Sequence, residues 1–542
     1  MLARILSALF LSLAIVLASS PARAAWHKAE SDRFVIYSDS RAEDLRKFSE
    51  MLERYHVAME LESGRKVAVP SPSNRLTIYM VGSRDNLRDI YGAGSRSAVA
   101  GFYIPRANGS VTFVPNIRFG SREAGRGQTG TRYSRRAGGG GFQGDRSFSI
   151  LLHEYAHHFM ISSARHAMPR WLSEGSAEYF SSARFNDDGS VDIGLPNNER
   201  AWEISQAAPV SLRELLDYEL YRENRGNRYS AYYGRAWLLF HYLAFDPKRN
   251  GQLETYWYAV TSGMDSTEAA ERVFGDLDQL EKELLNYGRQ RNMKGQRWNR
   301  EAISIGSINV SKLTSGHAAM MDVIIRSKRG VDQDQATELL EKARSTAANY
   351  SGDAAVYAAL AEAEYDAGND SQAIAAADNA IAADPSSKNA YVQKGYALFR
   401  QAEDADDKEA AYAKAMAPFE ALNALEADHT QPLIHYYRSF TKRGIAAPDG
   451  AKFALERATQ LAPFDKGLAM EVAAMKAYDG ESEIARYLLG PIAADPHGGK
   501  RASAAQSMID YLKNIPNGQS VSFGRVLSEL NADDGGDSER ET

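Results

Sequence analysis

An α+β chain that ends in an all-α repeat region is the architecture this sequence predicts, on three observations. Short β-prone and helical stretches alternate over residues 26–118, helical spacing dominates residues 147–300, and regularly spaced alanines run through most of the remainder. The 542 residues exceed one ordinary domain and suggest about two to four. With 44% hydrophobic and 25% charged residues, a disordered or collagen-like chain is excluded. The net charge of −6 gives no reason to expect a nucleic-acid partner. Cysteine is absent, so disulfides, thiolate nucleophiles and cysteine-held metals are excluded. Any metal must be held by histidine, carboxylate or backbone oxygen.

Arg4, an uncharged apolar run over residues 5–18, and Ala22-Arg23-Ala24 have the layout of a signal peptide covering residues 1–24. The run is shorter than the ~20 residues needed to span a bilayer, so an exported protein is expected, periplasmic or secreted, with no transmembrane segment after processing. Phe34-Val35-Ile36-Tyr37 and residues 76–81 read as strands. Between them Leu45, Phe48, Leu52, Tyr55 and Met59 have helical spacing. Residues 101–104 and 111–114 form a hairpin around Arg106-Ala107-Asn108-Gly109. Residues 120–146 hold nine glycines and six arginines against two acids, which reads as a flexible solvated loop. The stretch 147–300 is helical and rich in aromatics. The end, residues 533–542, is acidic and lacks apolar side chains, as disordered tails do.

The chemistry concentrates in one stretch. His153-Glu154-Tyr155-Ala156-His157 lies on a segment whose Leu151, Leu152, Phe159 and Met160 suggest a buried helix. Histidines four apart sit one turn apart on one face, where both imidazoles can reach a single zinc ion. Glu154 can lie beside the open coordination position and take a proton from water there. A third protein ligand is needed. Met160 and Ser163 stand where a third histidine arrangement would require glycine and histidine. Glu174, seventeen residues after His157, lies in Trp171-Leu172-Ser173-Glu174-Gly175-Ser176-Ala177-Glu178-Tyr179, a second helical stretch opened by Pro169. It can complete a His-His-Glu set, and Glu178, one turn on, can accept the other ring N–H of a ligating histidine. Glutamates on a merely solvated face would not be embedded among Trp171, Leu172, Tyr179 and Phe180.

These paired motifs resemble the gluzincin metallopeptidases, the peptidase-MA-like group, over roughly residues 26–260. The resemblance implies a small N-terminal mixed sheet with a helical zinc-binding part and one Zn2+ per chain held by His153, His157 and Glu174. It further implies Glu154 as general base, Glu178 as support, and a transition-state tyrosine before an apolar helix. Tyr233 aligns best with that tyrosine, and Tyr229 and Tyr232 remain open. The hairpin at 101–115 lacks the acidic segment with which the aminopeptidase branch anchors a free amino group. An endopeptidase whose edge strand pairs with an extended peptide is therefore expected. His158, His166 and His241 read as structural or surface residues.

In the second half Tyr357, Leu360, Ala361, Gly368, Ala373, Ala380 and Pro385 resemble tetratricopeptide repeats. Ala451, Ala458 and Pro463 repeat Ala373, Ala380 and Pro385 at a constant shift. Tyr391, Gly395 and Leu398 open a unit between them, and Ala336 and Ala343 mark a degenerate earlier one. The organisation expected is a signal peptide (1–24), a metallopeptidase-like domain (25–300), a tetratricopeptide-like solenoid (301–515) and a tail (516–542). The leading functional expectation is an exported zinc peptidase whose repeats recruit a protein substrate or partner. Its competitor is an inactive peptidase-like envelope scaffold acting through the repeats, which the intact Glu154 disfavours.

Overall fold

The computed structural model describes residues 25–527 apart from 93–98, 117–145, 164–166, 291, 496–497 and 525. The signal segment, almost all of the Gly/Arg-rich stretch, His166 and the acidic end therefore lie outside the described residues. The chain opens with β1 (His27–Glu30), β2 (Phe34–Ser38), α1 (Ala42–Ser63), β3 (Leu76–Val81), α2 (Arg84–Tyr91), β4 (Phe102–Ile104) and β5 (Val111–Pro115). The strands run in the order β4-β5-β3-β2-β1. Pairs β2–β3 and β3–β5 are parallel, while β1–β2 and the β4–β5 hairpin are antiparallel. Alternation along β2 sends Phe34 and Ile36 into the face covered by Phe48, Leu52 and Tyr55 of α1. Each such side chain removed from water contributes roughly 1.5–3 kcal/mol.

Next come α3 (Arg146–Ser163) and α4 (Arg170–Ser181), which carry the histidines and glutamates. The apolar stripe of α3, Leu151, Leu152, Tyr155, Ala156, Phe159 and Met160, is buried as its spacing predicts. Two bonds tie α3 to α1: the Tyr55 hydroxyl donates to the Leu152 carbonyl (3.1 Å), and Tyr155 Oη meets His56 Nδ1 (2.7 Å). Beyond Arg170, α4 is buried on every side. The chain continues through β6 (Arg184–Phe185), β7 (Val191–Ile193), α5 (Asn198–Gln206), α6 (Leu212–Leu216), α7 (Tyr218–Arg225) and α8 (Tyr232–Phe245). Gly175 lets α4 and α8 touch, since a Cβ there would stand 2.5 Å from the Ala236 carbonyl oxygen. Then follow α9 (Gln252–Thr261), α10 (Ser266–Phe274), α11 (Leu277–Tyr287) and β8 (Gln296–Trp298). A three-stranded sheet, β6-β7-β8, joins residues more than a hundred positions apart and has no counterpart in the sequence reading.

Past residue 300 the chain does not leave the first half at once. Strand β9 (Asn309–Lys312) pairs antiparallel with β1 and completes the first sheet as its sixth strand. The following α12 (Ser315–Arg329) lays Met321 and Ile325, with Leu313, against Tyr79, Val81, Val111 and Phe113, together with Leu87 and Ile90 of α2. The second face of the N-terminal sheet is thus closed by the first helix of the repeat region. From there antiparallel helices stack: α13 (Gln333–Asn349), α14 (Ala354–Asp366), α15 (Asp370–Ala383), α16 (Lys388–Glu403), α17 (Lys408–Leu425), α18 (Thr430–Thr441), α19 (Asp449–Leu461), α20 (Lys466–Tyr478), α21 (Ser482–Ala493) and α22 (Gly499–Leu512).

The small-residue positions are buried at the helix contacts, Ala361, Ala373, Ala380, Ala451 and Ala458 all at 0% exposure. Gly395 admits the Phe419 ring, which would lie 2.4 Å from any Cβ there. This part is a helical repeat region resembling a tetratricopeptide solenoid. Among the described residues no helix is long and apolar enough to cross a membrane.

Candidate metal centre

α3 and α4 lie against each other so that three ligand-type atoms converge. His153 Nε2 stands 3.1 Å from His157 Nε2, and Glu174 Oε2 lies 3.4 and 3.5 Å from these two nitrogens. A tetrahedral ion with bonds of ~2.0–2.1 Å separates its ligand atoms by about 3.3 Å. The three side chains therefore present the edge lengths of one tetrahedral face. They form the one group of three or more potential metal ligands found among the described residues. Glu174 is wholly buried. A carboxylate without water is costly by several kcal/mol unless cations or hydrogen bonds compensate it. Burial alone would depress the His153 imidazole, yet Glu174 and Glu178 outweigh it and raise its pKa well above the ordinary value. The same negative field suits a divalent cation, and the donor set fits zinc.

Both histidines have their remaining ring nitrogen engaged. His153 Nδ1 faces Glu178 Oε1 at 3.2 Å, and His157 Nδ1 faces Ser173 Oγ at 3.4 Å. With Nδ1 occupied in this way, Nε2 of each ring is left to point at the centre. Glu154, beside His153 on α3, is partly exposed. Its charge reaches strand β4: burial, joined by Glu154 and Asp465, pushes the Tyr103 phenol up.

Of the three tyrosines left open by the sequence, Tyr233 has its ring centroid 6.5 Å from that of His153. Tyr232 is buried in a cluster with Tyr218 and Tyr221. Tyr229 is 63% exposed and its hydroxyl donates to Glu203. His158 and His241 sit in structural roles. Burial holds the His158 imidazole down at about 3, and its Nδ1 meets Tyr103 Oη at 2.7 Å. His241 bonds Tyr287 and the carbonyls of Gly194 and Lys294.

Three further residues bear on the site and were not read from the sequence. Arg200 Nη2 donates to Glu178 Oε1 and Nη1 to Glu203 Oε2, both at 2.5 Å, while its guanidinium lies 5.2 Å over the Tyr233 ring. Glu203, 1% exposed, accepts the Gly234 N–H at 2.9 Å in the first turn of α8, where a carboxylate favours the positive helix end. A continuous polar chain thus runs from His153 through Glu178, Arg200 and Glu203 to the helix that bears Tyr233. Burial alone would raise the Glu178 carboxyl, but Arg200 and His153 outweigh it and hold it at about 2.

Arg170, one turn before Glu174, donates to the Tyr218 hydroxyl at 2.6 Å. Its guanidinium is stabilised against burial by Tyr233 and Glu174. Its place four residues before Glu174 and eight before Glu178 is visible in the sequence. Arg200 and Glu203 carry no such mark.

Replacing Arg200 by alanine removes the cation shared by two buried carboxylates. A loss of ~3–5 kcal/mol in stability is expected, read by chemical denaturation of the full chain. A loss under about 1 kcal/mol would contradict the account of this chain of charges.

The profile of a family described as "Protein of unknown function (DUF1570)" matches residues 148–258, the span holding both motif helices, and its description states no activity. No curated protein matches. Among solved structures, TTC0263, a thermophilic TPR protein of Thermus thermophilus, is 12% identical. It covers 36% of this chain and 99% of its own, with a TM-score of 0.31. Yeast Tom70 is 13% identical over 72% of this chain and 79% of its own, with a TM-score of 0.26. A MamA RS-1 double mutant is 15% identical over 37% and 96%, with a TM-score of 0.25.

Proposed function

We propose that the protein is an exported zinc-dependent endopeptidase. The observation that carries this reading is the tetrahedral-edge spacing of His153, His157 and Glu174 with Glu154 on the same helix. A zinc ion held by these three side chains would supply Lewis acidity and make water more acidic. Glu154 accepts the proton of the attacking water and delivers it to the departing amine. The Tyr233 hydroxyl donates to the carbonyl oxygen of the scissile bond as negative charge develops there. Glu178, charged and held by Arg200, keeps the His153 tautomer fixed.

Strand β4 lies at the sheet edge, and its outer side has no strand partner among the described residues. It offers backbone groups to an extended peptide. The hairpin carries no acid from residue 101 to 115, which favours internal peptide bonds over a free amino terminus.

Hydrolysis of a quenched casein-like substrate, abolished by a chelator and restored by zinc, is the test. A zinc-loaded chain without hydrolysis would turn the reading toward the scaffold. Tyr233→Phe is expected to lower turnover by ~10²–10³ with the fold intact, the usual effect of losing one oxyanion donor. Unchanged turnover alongside a large loss in Tyr232→Phe or Tyr229→Phe would move the role to that neighbour.

A further inference from the structure

The repeat region already holds a peptide segment, and it belongs to the same chain. The loop between β4 and β5, residues 105–110, reaches into it. Ala107 is 4% exposed and clusters with Ile434, Leu455, Phe464 and Leu468. Its N–H donates to Asp465 Oδ2 at 2.7 Å, and its carbonyl accepts from the Thr430 hydroxyl. Buried backbone groups must be paired, and here both groups of one residue are paired by solenoid side chains, which fixes the register of the loop. Beside it the Arg106 guanidinium donates to the Lys328 carbonyl; burial depresses its pKa against the support of Glu362 and Asp366. The turn before β3 is gripped as well: Ser73 N–H and O–H both donate to Glu426 Oε1, at 3.0 and 2.7 Å.

The docking reaches the metal centre in one step. Phe464, next to Asp465, packs its ring 4.7 Å from that of His158, the residue after His157. Tyr103 of β4 bonds the same His158. The repeats therefore meet the loop that follows the edge strand and the His158 ring to which that strand is bonded.

We infer that the repeats act as a positioning clamp. By holding Ala107 through Thr430 and Asp465, they fix strand β4 against α3 and thereby set the affinity of that strand for an extended peptide. The docking stands on its own contacts; the effect on substrate rests on the endopeptidase reading. An external peptide can reach Thr430 and Asp465 in this way only by displacing residues 105–110.

Two near-isosteric variants of the full chain test the clamp. Asp465→Asn can keep the cap of α20, in which Oδ1 accepts the Leu468 N–H at 2.9 Å, while losing the acceptor toward Ala107. Thr430→Val loses the donor to the Ala107 carbonyl. Amide hydrogen exchange over residues 102–115, zinc content and steady-state cleavage of a quenched casein-derived peptide are measured together. Exchange is expected to quicken by about tenfold and KM to rise by about tenfold, with zinc full and kcat within about twofold.

Unchanged exchange would overturn the docking, and faster exchange with unchanged KM would overturn the positioning role. A fall in kcat together with zinc loss would reduce the contact to a structural one. A wild-type chain that binds zinc yet cleaves nothing would sink the endopeptidase reading, while the exchange comparison still decides the docking.

Discussion

Glu154→Gln is expected to retain one zinc per chain and to lose about 10²–10⁴ in turnover, whereas His153→Ala, His157→Ala and Glu174→Ala each lose the metal and all hydrolysis. The split follows from the geometry. Glu174 Oε2 and the two Nε2 atoms face one another across 3.1–3.5 Å, and Glu154 is not among the converging atoms. The glutamine side chain preserves shape but cannot take a proton from water. Loss of Glu174 removes the only carboxylate among the three proposed ligands. Elemental analysis beside circular dichroism separates metal loss from unfolding. Full zinc in Glu174→Ala would refute the third-ligand assignment, and retained hydrolysis in Glu154→Gln would remove the proton-transfer role.

A chain cut at Arg300 is expected to be insoluble, or to bind a hydrophobic dye and cleave neither peptides nor proteins. The sequence favours the opposite outcome, because every proposed catalytic residue precedes residue 300 and the repeats read as a recruiting arm. The contacts that cross residue 300 argue for the first outcome. The cut removes β9 from the edge of β1 and strips Leu313, Met321 and Ile325 from the sheet face of Tyr79 and Phe113. It also uncovers Ala107 and the ring of His158. Extending the chain to Arg329 restores β9 and α12 but not the loop docking, so it should recover solubility before it recovers affinity for peptide. A soluble chain ending at Arg300 that cleaves short peptides as fast as the whole would restore the recruiting arm.

The parts of this molecule that were legible in the sequence are those with a local period. The stripe of α3, the hairpin of β4 and β5, and the alanines at repeat spacing each announce an element within a dozen or so residues. The His-Glu motif and its paired glutamates were legible for the same reason, since helix geometry alone puts positions four apart on one face. What could not be read depends on distant pairing. Strand β9 is four residues, Asn309–Lys312, with little apolar character of its own, and it exists because β1 offers an edge. Arg200 and Glu203 look like any charged helix residues until the fold brings them beside Glu178 and Gly234. The docking of Ala107 is likewise invisible, because an alanine in a turn carries no mark of the side chains that will receive its backbone.

The central claim is that His153, His157 and Glu174 together hold zinc at a hydrolytic centre. X-ray absorption at the zinc edge of the purified full chain tests it most directly. One zinc per chain is expected, with two imidazole nitrogens and oxygen ligands at ~2.0–2.2 Å, and loss of the bound metal in His157→Ala. A chain that binds no zinc, or binds it without imidazole, would contradict it.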